Sequence, residues 1–172
     1  MTLTSGLGGQ LSIDLGALAR NWRALDKVSA GALTAAVVKA DAYGTGIEMA
    51  SKALHAAGAR FFFVATPDEG IAVRAALPDA HIFVLYGLYP GAANLYVRQN
   101  LMPVLSSVPM LEEWLAKCVE RNEAYPAAFH FDTGINRLGF RLNEVGLVRE
   151  RIERLGYAPQ MVMSHLACAD QP

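Results

Sequence analysis

The chain has 172 residues, 53% of them apolar, with 15 Lys and Arg set against 16 Asp and Glu for a formal net charge of -1. That length suits one compact domain with a sizeable core, and the interspersed charge offers no basic groove for nucleic acid. No apolar run approaches the ~18 residues of a membrane helix, the opening MTLTSGLGGQ lacks the regions of a signal peptide, and two cysteines make no disulfide framework, so the expected compartment is the reducing cytoplasm.

Strand-like and helix-like stretches then alternate along the chain. Residues 11–14 read as a short strand and 15–30 as a helix with Leu18, Trp22 and Leu25 on one face. A strand over 34–39 is followed by a turn-like Asp41-Ala42-Tyr43-Gly44, then a helix over 46–57 that Gly58 ends. Residues 60–65 are a predicted strand, and 67–77 a helix with Pro67 in its first turn and Asp68 and Glu69 at the positive end of its dipole. A strand over 81–85, a short helix over 91–98 and a strand over 102–105 come next. The helix over 107–121 can be capped by Ser107 or Ser106 ahead of Pro109. Residues 127–131 are a strand, 143–155 a helix capped by Asn143 and closed by Gly156, and 160–165 a strand.

The apolar runs are nearly continuous, which fits strands covered on both faces of a parallel sheet. The fold class is α/β with about six βα-type strands after the first. A (β/α)8 barrel takes eight strands and typically about 250 residues. A doubly wound sheet needs no more than six, so periodicity leaves the two open. No Gly-x-Gly-x-x-Gly follows a strand, which weakens a dinucleotide site.

Three polar clusters fall at predicted strand C-termini, where α/β proteins expose their chemistry. The first is Lys39 with Tyr43. A partly desolvated lysine there can act as a nucleophile towards carbonyls, or can simply snorkel from a core strand. The second runs from His130 through Asp132-Thr133-Gly134-Ile135-Asn136-Arg137-Leu138-Gly139 to Phe140. By alternation His130 and Asp132 point inward while Phe129 and Phe131 face helices. His130 alone can equally be a core histidine, and Asp132 and Thr133 can cap a turn. The third is Ser164-His165-Leu166-Ala167-Cys168-Ala169-Asp170. His130, Asp132 and His165 lack a strong metal-ligand spacing, so no metal site is assigned. Cys168 reads better as a small buried cysteine than as a nucleophile, and Cys118, beside Trp114, as packing.

Val37-Val38-Lys39-Ala40-Asp41-Ala42-Tyr43-Gly44, Asp132–Gly139 and Ser164–Asp170 resemble three N-terminal signatures of the bacterial alanine racemase family, in the family's order and across essentially the whole chain. The resemblance implies a TIM-type barrel domain that binds pyridoxal 5'-phosphate (PLP), with a C-terminal β-domain to follow, and so favours the barrel. It implies an isomerase that interconverts L-alanine and D-alanine and supplies D-alanine for peptidoglycan, acting as a cytoplasmic homodimer on a small amino-acid substrate. Lys39 would hold PLP covalently and serve as the base on one face of Cα. Tyr43 resembles the tyrosine at the cofactor phosphate, His165 the histidine packed by the pyridine ring, and Arg137 the arginine near the phenolic oxygen and the substrate carboxylate. Asn136 would line the same pocket. Racemisation needs a second group on the opposite face of Cα, and the cofactor's conjugated ring delocalises the carbanion.

Two departures stand out. Many family members carry a carbamylated lysine where this chain has His130, so Arg137 must be held by a bound anion or another acidic group. The family's second base, a tyrosine from the C-terminal domain of the opposite subunit, has no counterpart among the tyrosines here. The sequence therefore predicts residues 1–172 to be a partial N-terminal barrel domain, inactive by themselves. The alternatives it leaves are a PLP-barrel racemase for another amino acid and a non-catalytic PLP-binding barrel protein of cofactor homeostasis.

Overall fold

The structure, a computed structural model, describes residue 9 and residues 11–170. The rest of the opening MTLTSGLGGQ, read above as no signal peptide, lies outside the described residues. The described residues form six strands: β1 (Ala36–Val37), β2 (Phe61–Val64), β3 (His81–Val84), β4 (Met102–Leu105), β5 (Ala128–His130) and β6 (Met161–Met163). Each pairs in parallel with its neighbour in the chain, giving the order β1-β2-β3-β4-β5-β6. That order decides between the two architectures. A doubly wound sheet reverses its order at a switch point. Here the winding never reverses, so the six strands form a half-barrel of the (β/α)8 type.

The helices α3 (Ile47–Ala57), α4 (Pro67–Ala76), α5 (Ala93–Gln99), α6 (Val108–Arg121) and α7 (Val145–Leu155) cover the sheet's outer face, and α1 (Leu15–Val28) packs on α3. The larger core lies between sheet and helices, where Phe62, Val64, Ile82, Leu105 and Phe129 meet Trp114, Leu111 and Val148. Burying each large side chain there contributes roughly 1.5–3 kcal/mol. A second, smaller cluster on the inner face is built from Phe83, Met102, Val104 and Ala128, flanked by Phe61, Phe63, Met161 and Met163. Strand alternation therefore holds as expected: Phe129 packs towards the helices and Ala128 faces inward.

Several local expectations need correction. Residues 11–14 pair with no strand. Asp14 instead caps α1, its carboxylate accepting from the Ala17 N–H at 2.9 Å. Ser107 occupies the N-cap position of α6, but neither it nor Ser106 supplies a side-chain cap, and the Ser106 hydroxyl turns to Met110 Sδ. Asn143 is not a cap either. It sits inside a 3₁₀ turn (Leu142–Glu144) ahead of α7, and the Glu144 carboxylate takes the Arg141 N–H at 2.7 Å. The strand over 34–39 shortens to two residues because β1 is an edge with only β2 to pair with.

Candidate active site

Because all six strands are parallel, the three polar clusters leave the sheet on one face, at the C-terminal ends of β1, β5 and β6. After β1 the chain makes an unusual move. The ladder ends with the Val38 N–H donating to Phe63 O at 2.9 Å, and Lys39–Gly44 (α2) then coils left-handed. Ala40, Asp41, Ala42 and Tyr43 all have φ between 52° and 56°. For L-residues this conformation costs roughly 1–2 kcal/mol each, so something must hold it.

Several bonds do. The Ala42 N–H donates to Val38 O at 2.9 Å, and the Gly46 N–H to Asp41 O at 3.0 Å. The Thr45 hydroxyl donates to Ala42 O at 2.6 Å, and the Asp41 carboxylate accepts from the Ile47 N–H at 2.8 Å, tying the turn to α3. One more comes from α4: Glu69 Oε1 accepts from the Ala40 N–H at 2.7 Å. The other oxygen of the same carboxylate takes the Ala65 N–H at 2.7 Å and the Thr66 N–H at 3.3 Å. Sequence reasoning gave Glu69 only a place near the helix dipole. The Thr66-x-x-Glu69 spacing, a capping-box signature, was the signal that its carboxylate turns back on the backbone.

Lys39 itself is half-buried and makes no ion pair among the described residues. Its Nζ lies 6.0 Å from the centroid of the Tyr43 ring, which is exposed.

The loop after β5 closes on itself. The Phe140 N–H donates to His130 O at 2.7 Å and the Asp132 N–H to Phe140 O at 2.9 Å, so residues 132–139 bulge from a fixed base. Asp132 Oδ1 accepts from the N–H groups of Gly134 and Asn136, both at 3.0 Å. These two bonds hold its carboxyl below the usual carboxylate range. Asp132 is therefore spent on shaping the loop. Asn136, at φ 54°, turns its amide to Gly134 O, and Arg137 stands exposed at the loop tip. No acidic group among the described residues pairs with Arg137. An open cavity of about 1080 Å³ separates this loop from the start of α6, with Asp132, Asn136, Arg137, Arg141 and Ser107 on its wall.

His130 lies at the base of the same loop, 5% exposed, with Nε2 buried and without a hydrogen-bond partner among the described residues. Burial, followed by the nearby His165 and Arg137, pushes its pKa down, while Asp132 opposes them. His165 is exposed beyond β6, which ends at Met163. The loops after β5 and β6 are joined by the hydroxyls of Thr133 and Ser164. No hydrogen bond among the described residues links Lys39 or Tyr43 to Arg137, Asn136 or His165; the first pair stands at one edge of the sheet and the others at its far end.

One further correction concerns cysteine. Cys168, read as small and buried, is exposed on the loop after β6. Cys118 is buried as expected, and burial raises its thiol pKa, which leaves it inert packing. Among the described residues no three His, Cys, Asp or Glu side chains are grouped to hold a metal, and no helix is long and apolar enough to cross a membrane.

Residues 13–172 match the family described as alanine racemase, N-terminal domain. An alanine racemase of Methylobacterium sp. (strain 4-46) is 50% identical over 172 residues, covering 100% of this chain and 47% of that protein. A biosynthetic alanine racemase of Agrobacterium fabrum is 49% identical over 164 residues, covering 95% and 42%. Among solved structures, the alanine racemase of Bartonella henselae with covalently bound pyridoxal phosphate superposes with a TM-score of 0.86 at 34% identity, over 91% of this chain and 46% of that one. The chain thus spans about half the length of the curated relatives it matches.

Proposed function

Because the chain belongs to the alanine racemase family, through a match to its N-terminal domain over residues 13–172, we propose that the whole protein interconverts L-alanine and D-alanine with PLP carried on Lys39. Residues 1–172 are the N-terminal barrel part in this reading, and a β-domain follows. The observation that carries it is the placement of Lys39. The half-buried residue, without an ion pair among the described residues, leaves the C-terminal end of β1 on the face onto which the β5 and β6 loops also open.

The residues present suit such a cofactor. An amine without an acidic partner among the described residues is free to bond an aldehyde, and the buried Nε2 of His130 marks a polar floor without a hydrogen-bond partner among them. When bound, PLP supplies the electron sink that makes the Cα proton of an amino acid acidic. The chain's own residues do the rest. Lys39 takes and returns a proton on one face of Cα. Tyr43 reaches the cofactor phosphate and His165 flanks the pyridine ring. Arg137 binds the substrate carboxylate, with Asn136 beside it on the loop that Asp132 shapes. The second proton carrier belongs to the remainder of the protein. Cytoplasmic location, homodimer formation and supply of D-alanine for peptidoglycan belong to the same proposal.

Borohydride reduction of the whole protein with PLP, followed by peptide mapping, tests the cofactor role, and interconversion of alanine enantiomers tests the activity. We expect the adduct on Lys39 and loss of both adduct and turnover in Lys39→Ala. A wild-type protein that racemises alanine without labelling Lys39 would refute the assignment.

A further inference from the structure

The Glu69 carboxylate works well beyond its own helix. A capping-box glutamate needs one bond, to the N–H of the N-cap residue. Here that bond, to Thr66, is the longest of three at 3.3 Å. The two shorter ones, at 2.7 Å, go to the N–H of Ala65 at the end of β2 and the N–H of Ala40 at the end of β1. The Ala40 bond spans 29 residues of sequence and uses an oxygen that the cap does not.

Ala40 is the residue directly after Lys39 and the first of the four left-handed positions. Its N–H belongs to the Lys39–Ala40 peptide, so fixing that N–H fixes the plane from which the Lys39 side chain departs. The bonds at Asp41 and Ala42 tie the later part of the turn, and the strand ladder offers the Lys39–Ala40 peptide little. β1 contributes two ladder pairs, Ala36 to Phe62 and Val37 to Phe63, and the last strand bond ends at Val38. A charged acceptor at 2.7 Å is among the stronger hydrogen bonds a backbone N–H can make.

We propose that Glu69 is a positioning residue for Lys39: by clamping the Ala40 and Ala65 amides together, it locks the left-handed turn and aims the lysine amine across the sheet's C-terminal face. The role rests on the cofactor reading of Lys39. The clamp itself rests only on the backbone geometry, and the two can fail separately.

The test uses the whole protein as wild type, Glu69→Gln, Glu69→Ala and Thr66→Ala. The last removes the cap hydroxyl and leaves the carboxylate in place. Two quantities are read: hydrogen exchange at the Ala40 amide without cofactor, and the rate of borohydride-trapped PLP labelling at Lys39. Loss of a charge-assisted bond predicts Ala40 exchange at least about tenfold faster in Glu69→Ala, a comparable fall in labelling rate, and an intermediate Glu69→Gln. Amides within β2 and the Thr66→Ala variant stay near wild type. The proposal is overturned if a folded Glu69→Ala or Glu69→Gln keeps wild-type exchange at Ala40, or if Thr66→Ala matches Glu69→Ala in both readings. Should wild-type protein fail to label at Lys39, the cofactor reading falls, and Ala40 exchange alone decides the clamp. If exchange rises while the labelling rate holds, the aiming role is refuted.

Discussion

Gly139 has less latitude than any other residue of the β5 loop. Its φ is +121°, and a Cβ there would lie 2.5 Å from the Asp132 backbone nitrogen, the same N–H that closes the loop onto Phe140. No side-chain shift relieves a clash with backbone, so Gly139→Ala must distort the loop or break that bond. We expect a loss of about 2 kcal/mol or more in urea unfolding, accompanied by weaker binding of substrate carboxylate. His130 gives a residue-level prediction of a different kind. Its pKa is pushed below the ordinary 6.5 by burial first, then by His165 and Arg137. As pH falls, the unfolded chain takes up this proton before the folded one does. The stabilisation is complete above pH 6.5 and is lost as pH drops towards the folded value. Unfolding measured across that window should show stability falling with pH, and His130→Gln should flatten the slope. An unchanged slope in the variant would assign the effect to another group.

Among the elements, α4 and α5 end in a shared cap. The Arg74 guanidinium donates to Pro78 O at 2.6 Å and Asn100 O at 2.7 Å, with longer bonds to Gln99 O and Leu77 O. One side chain thus satisfies carbonyls after two different helices, and ties them at the end of the sheet away from the lysine. Arg74→Ala should cost about 2 kcal/mol in thermal unfolding, with Arg74→Lys recovering only part, since an ammonium cannot span four carbonyls with a planar fork. Lys39 labelling should survive in folded Arg74→Ala, because the bond to Ala40 arises at the opposite end of α4.

For the molecule as a whole, the βα rhythm was readable because strands such as Phe61–Val64 are short, apolar throughout and bounded by Gly, Pro or Asp. Strand order was not readable, because the strands are apolar nearly throughout and periodicity carries no neighbour information. The placement of Lys39, Asp132 and His165 on one face followed from the parallel arrangement. The left-handed turn did not, since Ala40-Asp41-Ala42-Tyr43 carries no glycine until Gly44 and part of what holds it, the Glu69 carboxylate, lies on α4, 29 residues away. The caps expected from Ser107 and Asn143 failed for a related reason: sequence names residues able to cap, while the backbone entering the helix decides which one does. The described sheet has two edges, β1 and β6, with Val37 46% and Val162 63% exposed. Expressed as residues 1–172 alone, the chain should self-associate through these edges and racemise no alanine. Sedimentation of a monomer at high concentration, or turnover by that piece, would contradict this.

In stereochemical terms, Ala40 is an L-residue held in the conformation natural to its mirror image. Its side chain is exposed, so inverting that one centre by semisynthesis gives up no core contact. A D-alanine at position 40 would make the handedness of the turn's first residue intrinsic to the chain, while Asp41, Ala42 and Tyr43 stay held by their surroundings. Glu69→Ala should then do less harm than it does in the all-L protein.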